Sequence, residues 1–173
     1  MRSLRRVPTD AEITFADHAG RLYARQYGMA PMVGRLLGYL AICDPPEQSI
    51  GELAEALLAS RSAIAGAVNA LDNLDMIRRS RAAGERMDRI RIDLGGPRSM
   101  GFDLTEYREQ GALAREGLAM MADEPLERRA VLLEWAAFAD FLVARLPELE
   151  QDWKTHREAL RAAGELPDNP PHR

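Results

Sequence analysis

The residues that decide the fold are 49–75, which read SIGELAEALLASRSAIAGAVNALDNLD. Ser49 and Glu52 form a capping box, because the serine hydroxyl can accept from an amide of the first helical turn while the glutamate reaches back to the serine amide. This pair predicts a helix that begins after Ser49 and ends near Leu58. A second helix follows with almost no spare residues, and this order is typical of a helix-turn-helix.

The second helix of this stretch has two faces of different chemistry. Ser60 can cap it, and we expect it to continue to about Asp75. Apolar residues at helical spacing predict its buried face, which consists of Ile64, Ala67, Val68, Leu71 and Leu74. The other face carries small or hydrogen-bonding side chains, namely Arg61, Ser62, Ala65, Gly66, Asn69 and Asn73. Because such side chains can approach base edges closely or hydrogen-bond to them, we predict a DNA recognition helix. Its expected DNA contacts are Ser60, Arg61, Ser62, Ala65 and Asn69.

Residues 76–81 and 87–94 predict the two strands of a hairpin around Gly84. In the second strand, apolar residues alternate with polar ones: Ile90, Ile92 and Leu94 against Arg89, Arg91 and Asp93. A period of two indicates a strand with one buried face. The polar edges are mostly arginine, which suits phosphate contacts, so the hairpin is interpreted as the wing of a winged helix-turn-helix. Its expected DNA contacts are Arg79, Arg81, Arg89 and, at the tip, Arg86.

The charge of the chain is segregated. Eight arginines and five acidic residues lie between Ser60 and Arg98, a local net charge of +3 in a chain whose total is −4. An acidic protein with one basic hairpin is suited to a polyanion at one face, because phosphate neutralisation supplies most nucleic-acid affinity. The alternative is a solvated sheet edge kept basic against aggregation. The capped helix pair beside the hairpin favours double-stranded DNA as the partner.

The composition limits which classes of protein the chain can belong to. The 173 residues are 46% hydrophobic and 29% charged, which is typical of a folded protein with a good core. No stretch approaches the roughly 20 apolar residues of a membrane span, and the basic N-terminus lacks the apolar region of a signal peptide. We therefore expect a cytoplasmic protein that does not contact membranes.

The cysteine and the histidines do not predict metal chemistry. Cys43 is the lone cysteine and follows an apolar helix, so we interpret it as a buried side chain rather than a redox sensor. The three histidines, His18, His156 and His172, are far apart and have no partner at ligand spacing. We expect no metal site and no cofactor.

Two helices are predicted before residue 49. A capping box at Thr9 and Glu12 begins a helix that Gly28 closes, giving a span of about 9–27. Pro31 lies near the start of the next helix, and we expect Asp44 and the two prolines after it to stop that helix. Gly34 and Gly38 are four residues apart, so they either allow another helix to approach closely or only lower helix stability.

Two further helices are predicted after the hairpin. Asp103 and Glu106 form a cap for the first, and Pro125 begins the last. Apolar residues of the last helix recur at three- and four-residue steps: Trp135, Phe138, Leu142, Leu146, Leu149, Trp153 and Leu160. Pro147 is expected to kink or split it. This apolar face exceeds what one small domain can cover, so we predict a homodimer. The expected interface consists of the first helix together with Trp135, Phe138, Leu142 and Leu149.

The predicted fold class is mainly α with a small β-hairpin, a winged helix-turn-helix plus long dimerisation helices. Four segments are expected: residues 1–29 (arm and first helix, dimerisation), 30–98 (winged DNA-binding domain), 99–163 (dimerisation helices) and 164–173 (disordered tail). A cavity for a small-molecule effector is predicted between the winged domain and the dimer helices. Its expected lining is Phe15, Tyr39, Tyr107 and Phe138, with ordinary core packing as the alternative for these aromatics.

The order of elements resembles the MarR family of bacterial transcriptional regulators, and more closely its GbsR-like branch. The resemblance covers about 15–160 and is most specific at residues 32–49, MVGRLLGYLAICDPPEQS, which is similar to that branch's Gly-Arg and Cys-Asp-Pro pattern. Glu-Leu-Ala at 52–54 and Ala-Ser at 59–60 continue it. The resemblance implies a dimer formed by the terminal helices and a repressor, often of transport or osmolyte genes, that a small ligand releases.

The resemblance also has implications for single residues. Gly84-Glu85-Arg86 looks like the family's wing tip, which implies that Arg86 enters the minor groove while Glu85 orients it. Ala65 and Gly66 stand where relatives commonly place hydroxyl residues, and the usual aromatic near Ile90 is missing. Base readout is then expected to depend on Arg61, Ser62 and Asn69, with Ala65 against a thymine methyl.

The sequence also bears on two other classes of function. An enzyme needs a nucleophile with a base, a metal cluster or a phosphate loop, and none occurs at a suitable spacing, so we expect no catalytic residues. The stronger alternative is a protein-binding adaptor that keeps the winged scaffold. The arginine-rich hairpin distinguishes the two, because an adaptor does not require it.

Overall fold

The computed structural model describes residues 7–81, 88–96 and 98–167 of the chain. Within them lie six helices and one two-stranded antiparallel hairpin, which confirms the predicted fold class. The elements are α1 (Asp10–Tyr27), α2 (Pro31–Leu40), α3 (Ile50–Ala56), α4 (Arg61–Asn73), β1 (Ile77–Ser80), β2 (Arg89–Ile92), α5 (Thr105–Met120) and α6 (Leu126–Ala162). They form two compact units, one up to Met100 and the other from Gly101. Among the described helices, none combines the length and hydropathy that crossing a bilayer requires.

The first helix has the ends that its sequence predicts. The Glu12 carboxylate accepts from the Thr9 amide at 2.7 Å, and the Thr9 hydroxyl accepts from the Glu12 amide at 3.3 Å, so the capping box is complete. Gly28 closes the helix in the left-handed region, with φ 65°. Such caps supply partners for amides and carbonyls that a helix end leaves without intrahelical bonds.

The two glycines of α2 permit close packing against α1. A Cβ added to Gly38 would lie 2.5 Å from the Ala19 Cβ, and one added to Gly34 would lie 2.8 Å from the Tyr23 Cβ. Of the two interpretations of this glycine pair, close helix approach is therefore confirmed. The α1–α2 contact also buries Ala16 completely.

The predicted end of α2 was wrong. The helix stops at Leu40, before Asp44 and the two prolines. The amides of Ile42 and Cys43 both donate to the carbonyl of Tyr39, at 3.1 and 2.9 Å, so a tight turn ends the helix first. Cys43 is buried as expected, and that burial raises the pKa of its thiol to about 11.

The core of the first unit lies among α2, α3, α4 and the hairpin. Its fully buried side chains include Leu36, Leu53, Leu57, Ile64, Val68, Leu71, Ile77 and Ile90. The buried face predicted for α4 is confirmed, except that Leu74 is only half-buried at the end of the helix. Arg35 in α2 donates to the carbonyl of Leu57 at 2.7 Å, which joins α2 to the end of α3.

The hairpin is shorter than its sequence pattern predicts. Ile77 lies opposite Ile92 and Arg79 opposite Ile90, and β2 ends at Ile92. Leu94, expected on the buried face, is 36% exposed, because the Asp93 carboxylate accepts from the amide of Gly95 and turns the chain away. Within β2, Ile90 is buried whereas Arg89, Arg91 and Ile92 are all half-buried, so the predicted alternation is only partly present.

The second unit consists of α5 and α6, packed as a helical hairpin. A Cβ on Gly117 would lie 2.8 Å from Leu132, and one on Gly111 would lie 3.2 Å from the Ala139 Cβ, so small residues again bring two helices close. Because contacts at 111 and 117 fall on 139 and 132, the helices run in opposite directions.

Two expectations for this unit need correction. The residue that precedes α5 is Leu104, which has no side-chain cap; the Asp103 carboxylate instead accepts from the amide and hydroxyl of Thr105, at 3.0 and 2.7 Å. Pro147 lies inside α6 and does not split it. A proline removes one helical hydrogen bond, and the remaining bonds on either side keep the helix continuous.

Candidate nucleic-acid interface

The turn between α3 and α4 is short and held by backbone contacts. The amide of Ala59 donates to the carbonyl of Ala54 at 2.9 Å, and Leu58 adopts a left-handed conformation with φ 49°. The Ser60 hydroxyl then accepts from the amide of Ala63 at 3.1 Å and caps α4. Ser60 is also hydrogen-bonded to the Ser62 hydroxyl at 3.0 Å. The helix-turn-helix geometry predicted from these caps is confirmed.

The outer face of α4 points to solvent as the sequence predicts. Arg61, Ser62, Gly66 and Asn69 are exposed, and Ala65 is half-buried. The side chain of Arg61 lies near α3, where a Cβ on Gly51 would be 3.6 Å from its Nη2. Within the described part of the chain, Arg61 makes no hydrogen bond or ion pair. It is therefore a cation available to an external anion.

Two of the predicted DNA-contacting residues are hydrogen-bonded to each other. Nη2 of Arg79, in β1, donates to Oδ1 of Asn69, in α4, at 2.8 Å. The same Nη2 lies 3.1 Å from Oδ2 of Asp72, one helical turn further along α4. The hairpin and α4 are thus joined by a polar contact at their exposed edge.

Among the described residues, the other hairpin arginines are also paired with carboxylates. Arg81 lies 2.6 Å from Asp88, and Arg78 lies 2.9 Å from Asp93. Arg91 lies 3.9 Å from Glu47, a looser contact. Ion pairs at exposed positions contribute little to stability, but they reduce the positive potential that the bare sequence predicts.

Arg89 is hydrogen-bonded to Glu52, the carboxylate that also completes the N-terminal cap of α3. Its Nη1 donates to Oε2 of Glu52 at 2.7 Å, and that oxygen also accepts from the amide and the hydroxyl of Ser49, both at 2.8 Å. Partial burial acts to raise the pKa of Glu52, but the hydrogen bonds from Ser49 and the charge of Arg89 outweigh it and hold this pKa below its ordinary value.

Sequence reasoning missed the residues that position the hairpin. Gln48 exchanges two backbone hydrogen bonds with Ile90, at 3.0 and 2.8 Å, and so adds a third short segment beside β2. Adding Glu47 and Glu52 to the count of residues 60–98 lowers the local net charge from +3 to +1. No local pattern signals these contacts, because the partners are about 40 residues apart.

One predicted DNA contact lies outside the described residues. Arg86, with Gly84 and Glu85, falls in the segment 82–87, so its predicted role stays a prediction. In the described ranges, no three His, Cys, Asp or Glu side chains cluster closely enough to hold a metal ion.

The predicted effector residues are divided between the two units. Tyr39 is 3% exposed in the core of the first unit, and Phe15 is 47% exposed on α1. Tyr107 is half-buried on α5, while Phe138 is 56% exposed on α6. For Tyr39 the packing agrees with the core interpretation. A cavity that these aromatics share stays a prediction.

The predicted dimer residues lie on α6 and are incompletely covered by their own unit. Phe138 and Leu149 are 56% and 55% exposed, and Trp135 and Leu142 are half-buried. Trp135 and Phe138 line a depression of about 480 Å³ together with Val131, Glu134 and Ala137. The outer side of α6 is therefore an exposed apolar surface.

The chain is similar to known transcriptional regulators. The family described as MmpR5-like MarR family transcriptional regulator matches residues 97–167. The HTH-type transcriptional regulator MmpR5 of Mycobacterium tuberculosis (strain ATCC 25618 / H37Rv) is 34% identical over 116 residues, which span 65% of this chain and 68% of that protein. A solved structure described as the crystal structure of a transcriptional regulator has a TM-score of 0.74 at 27% identity, over 84% of this chain and 99% of that one.

Proposed function

Because the chain belongs to the MarR family of transcriptional regulators, we propose that it is a dimeric, sequence-specific repressor that a small ligand releases from DNA. The observation that carries the proposal is the outer face of α4. It combines exposed hydrogen-bonding side chains with Arg61, which has no ion-pair or hydrogen-bond partner among the described residues. Its placement in a GbsR-like branch, with transport or osmolyte genes as targets, stays a prediction.

We propose that the two parts of this surface, the outer face of α4 and the hairpin, contact different parts of the DNA. Ser60, Ser62, Ala65 and Asn69 approach base edges in the major groove, where each base pair presents its own pattern of donors and acceptors. Arg61 reads base edges beside them, and Arg86 enters the minor groove. The hairpin arginines Arg79, Arg81 and Arg89 act on the backbone, which fixes position and adds affinity that is not sequence-specific. The carboxylates paired with Arg79, Arg81 and Arg89 keep that affinity modest, which favours selectivity over tight general binding.

A homodimer would cover the apolar side of α6. The helix has 37 residues, about 56 Å, whereas α5 has 16 residues, about 24 Å, so α5 covers less than half of its length. Exposed aromatic and aliphatic side chains of this extent commonly mark an interface. Two-fold symmetry would then present two α4 helices to two half-sites of one operator, about one helical turn apart.

Ligand release would follow if the effector binds only one arrangement of the two α4 helices. A ligand that weakens DNA binding about 100-fold requires DNA to weaken ligand binding equally, a coupling of about 2.7 kcal/mol. Phe15, Tyr39, Tyr107 and Phe138 remain the proposed lining. Calorimetry of an effector with and without operator would measure the coupling, and equal affinities in both states would contradict release at equilibrium.

A gel shift with the DNA upstream of the protein's own gene, at two salt concentrations, tests the proposal against the adaptor alternative. Selective binding of that DNA over a shuffled duplex, weakening as salt rises, supports the regulator. Equal binding of both duplexes, or no binding at low salt, would favour a protein-binding adaptor on the same scaffold.

A further inference from the structure

The contact between Arg79 and Asn69 determines which way the Asn69 amide faces. A guanidinium carries only donors, so the Asn69 atom that lies 2.8 Å from Arg79 Nη2 must be the carbonyl oxygen. The amide nitrogen therefore points away from the hairpin. Within the described residues this nitrogen has no hydrogen-bond partner, and the residue is exposed.

Asp72 keeps Arg79 in this position. Its Oδ2 lies 3.1 Å from the same guanidinium nitrogen, and Asn69 and Asp72 are one turn apart on α4. The Arg79 side chain is 33% exposed, so it is partly shielded by these neighbours rather than extended into solvent. Without Arg79, the amide of Asn69 could rotate by half a turn and present either its oxygen or its nitrogen.

We propose that Arg79 is a positioning residue for base recognition, and that it makes Asn69 present its NH₂ group to the major groove. An outward donor selects a base-edge acceptor such as guanine O6 or N7, thymine O4 or adenine N7, and disfavours the amino group of cytosine. Arg79 thereby contributes sequence selectivity without itself touching a base. This inference rests on the proposed function, because it takes α4 as the helix that reads DNA.

The neighbouring arginine offers a matched control. Arg78 is also in β1, is also exposed, and is also paired with a carboxylate, but its partner is Asp93 rather than a residue of α4. Arg78→Gln and Arg79→Gln remove the same charge from adjacent positions of the same strand. Only Arg79→Gln removes the contact that orients Asn69.

Selection of binding sites from a random duplex library, followed by sequencing, tests the inference for the full-length chain and its variants. Asn69→Ala identifies the base positions that this residue reads. At those positions, Arg79→Gln should lower the base preference about fivefold, the effect of one hydrogen bond, and leave other positions unchanged. Unchanged preferences elsewhere also show that the variant is folded. Asn69→Asp, which offers only acceptors, should shift the preference toward cytosine or another amino-bearing edge.

Arg78→Gln should weaken all sites by a similar factor and change no base preference. If Arg79→Gln behaves in the same way, Arg79 contributes only charge and the inference is overturned. If Asn69→Asp keeps the preferred base of the wild type, the outward group is not the donor, and the inference also fails. If the wild-type chain enriches no sequence at all, the proposed function fails instead, so the two failures are distinguishable.

Discussion

Arg89 in β2 donates a 2.7 Å hydrogen bond to Glu52, the carboxylate that also completes the N-terminal cap of α3. One oxygen atom of Glu52 therefore joins the hairpin to the first helix of the helix-turn-helix. Beside it, Gln48 and Ile90 exchange two backbone hydrogen bonds. Because these contacts converge on β2, they set the position of the hairpin relative to α3.

Removing the Arg89 side chain should lower stability. We expect Arg89→Ala to reduce the free energy of unfolding by about 1 kcal/mol, because it deletes a charge-assisted hydrogen bond between two half-buried groups. Urea denaturation at one protein concentration measures this. The control is Arg128→Ala, which breaks an exposed i,i+4 pair with Glu124 and should cost less than about 0.5 kcal/mol. Equal losses in the two variants would contradict a structural role for Arg89.

The Glu52 carboxylate should make part of this stability depend on pH. Its pKa is below the ordinary value in the folded state, so its contribution is fully present above the unfolded pKa of about 4.3 and is lost as pH falls through the folded pKa. We compare the wild type with Glu52→Gln, which keeps a capping side chain but does not titrate. The difference in unfolding free energy should be largest near neutral pH and shrink below about pH 4.3. A constant difference down to pH 3 would be inconsistent with the contacts of Glu52.

Two glycine-to-alanine changes should have opposite effects on stability. A Cβ on Gly38 would lie 2.5 Å from the Ala19 Cβ, so Gly38→Ala should destabilise by about 1–3 kcal/mol through overpacking. At Gly66, on the outer face of α4, an added Cβ has no neighbour within 4 Å. Gly66→Ala should therefore stabilise by about 0.5–1 kcal/mol, as alanine does in a helix interior. Thermal unfolding of both variants checks this, and destabilisation by Gly66→Ala would refute it.

A charge on the outer side of α6 should separate the proposed dimer. Phe138→Glu places a carboxylate at a side chain that is 56% exposed beside the apolar depression. We expect light scattering to give twice the 19.3 kDa chain mass for the wild type and the monomer mass for the variant at micromolar concentration. Ala112→Glu, at an exposed position on α5 and outside the proposed α6 surface, is the control and should remain dimeric. A wild-type monomer that binds operator normally would refute the dimer.

Short-range signals made much of the fold predictable from sequence. The capping boxes at Thr9 and Ser49 each involve residues three apart, so hydroxyl and carboxylate are close as soon as the helix forms. The buried face of α4 follows from its helical period. These features need no knowledge of the tertiary structure.

Contacts between segments that are far apart in the sequence could not be predicted from such short-range signals. Glu52 and Arg89 are 37 positions apart, and Asn69 and Arg79 meet only because the hairpin folds back against α4. The arginine count therefore overstated the free positive charge, since it left out Glu47 and Glu52, which pair with Arg91 and Arg89 from outside the counted stretch. The unbroken α6 is a similar case, because Pro147 is a local signal for a break that the rest of the helix overrides.

A carboxylate placed on the outer face of α4 tests most directly whether that face contacts DNA. Fluorescence anisotropy compares operator binding by the wild type, Ser62→Glu and Gln151→Glu at one salt concentration. Both variants add one negative charge at an exposed position, Ser62 on α4 and Gln151 on α6. We predict that Ser62→Glu weakens binding by about 100-fold or more, since like charges brought together cost several kcal/mol, and that Gln151→Glu binds as the wild type does. Operator binding by Ser62→Glu at wild-type affinity would contradict the assignment of α4 as the recognition helix.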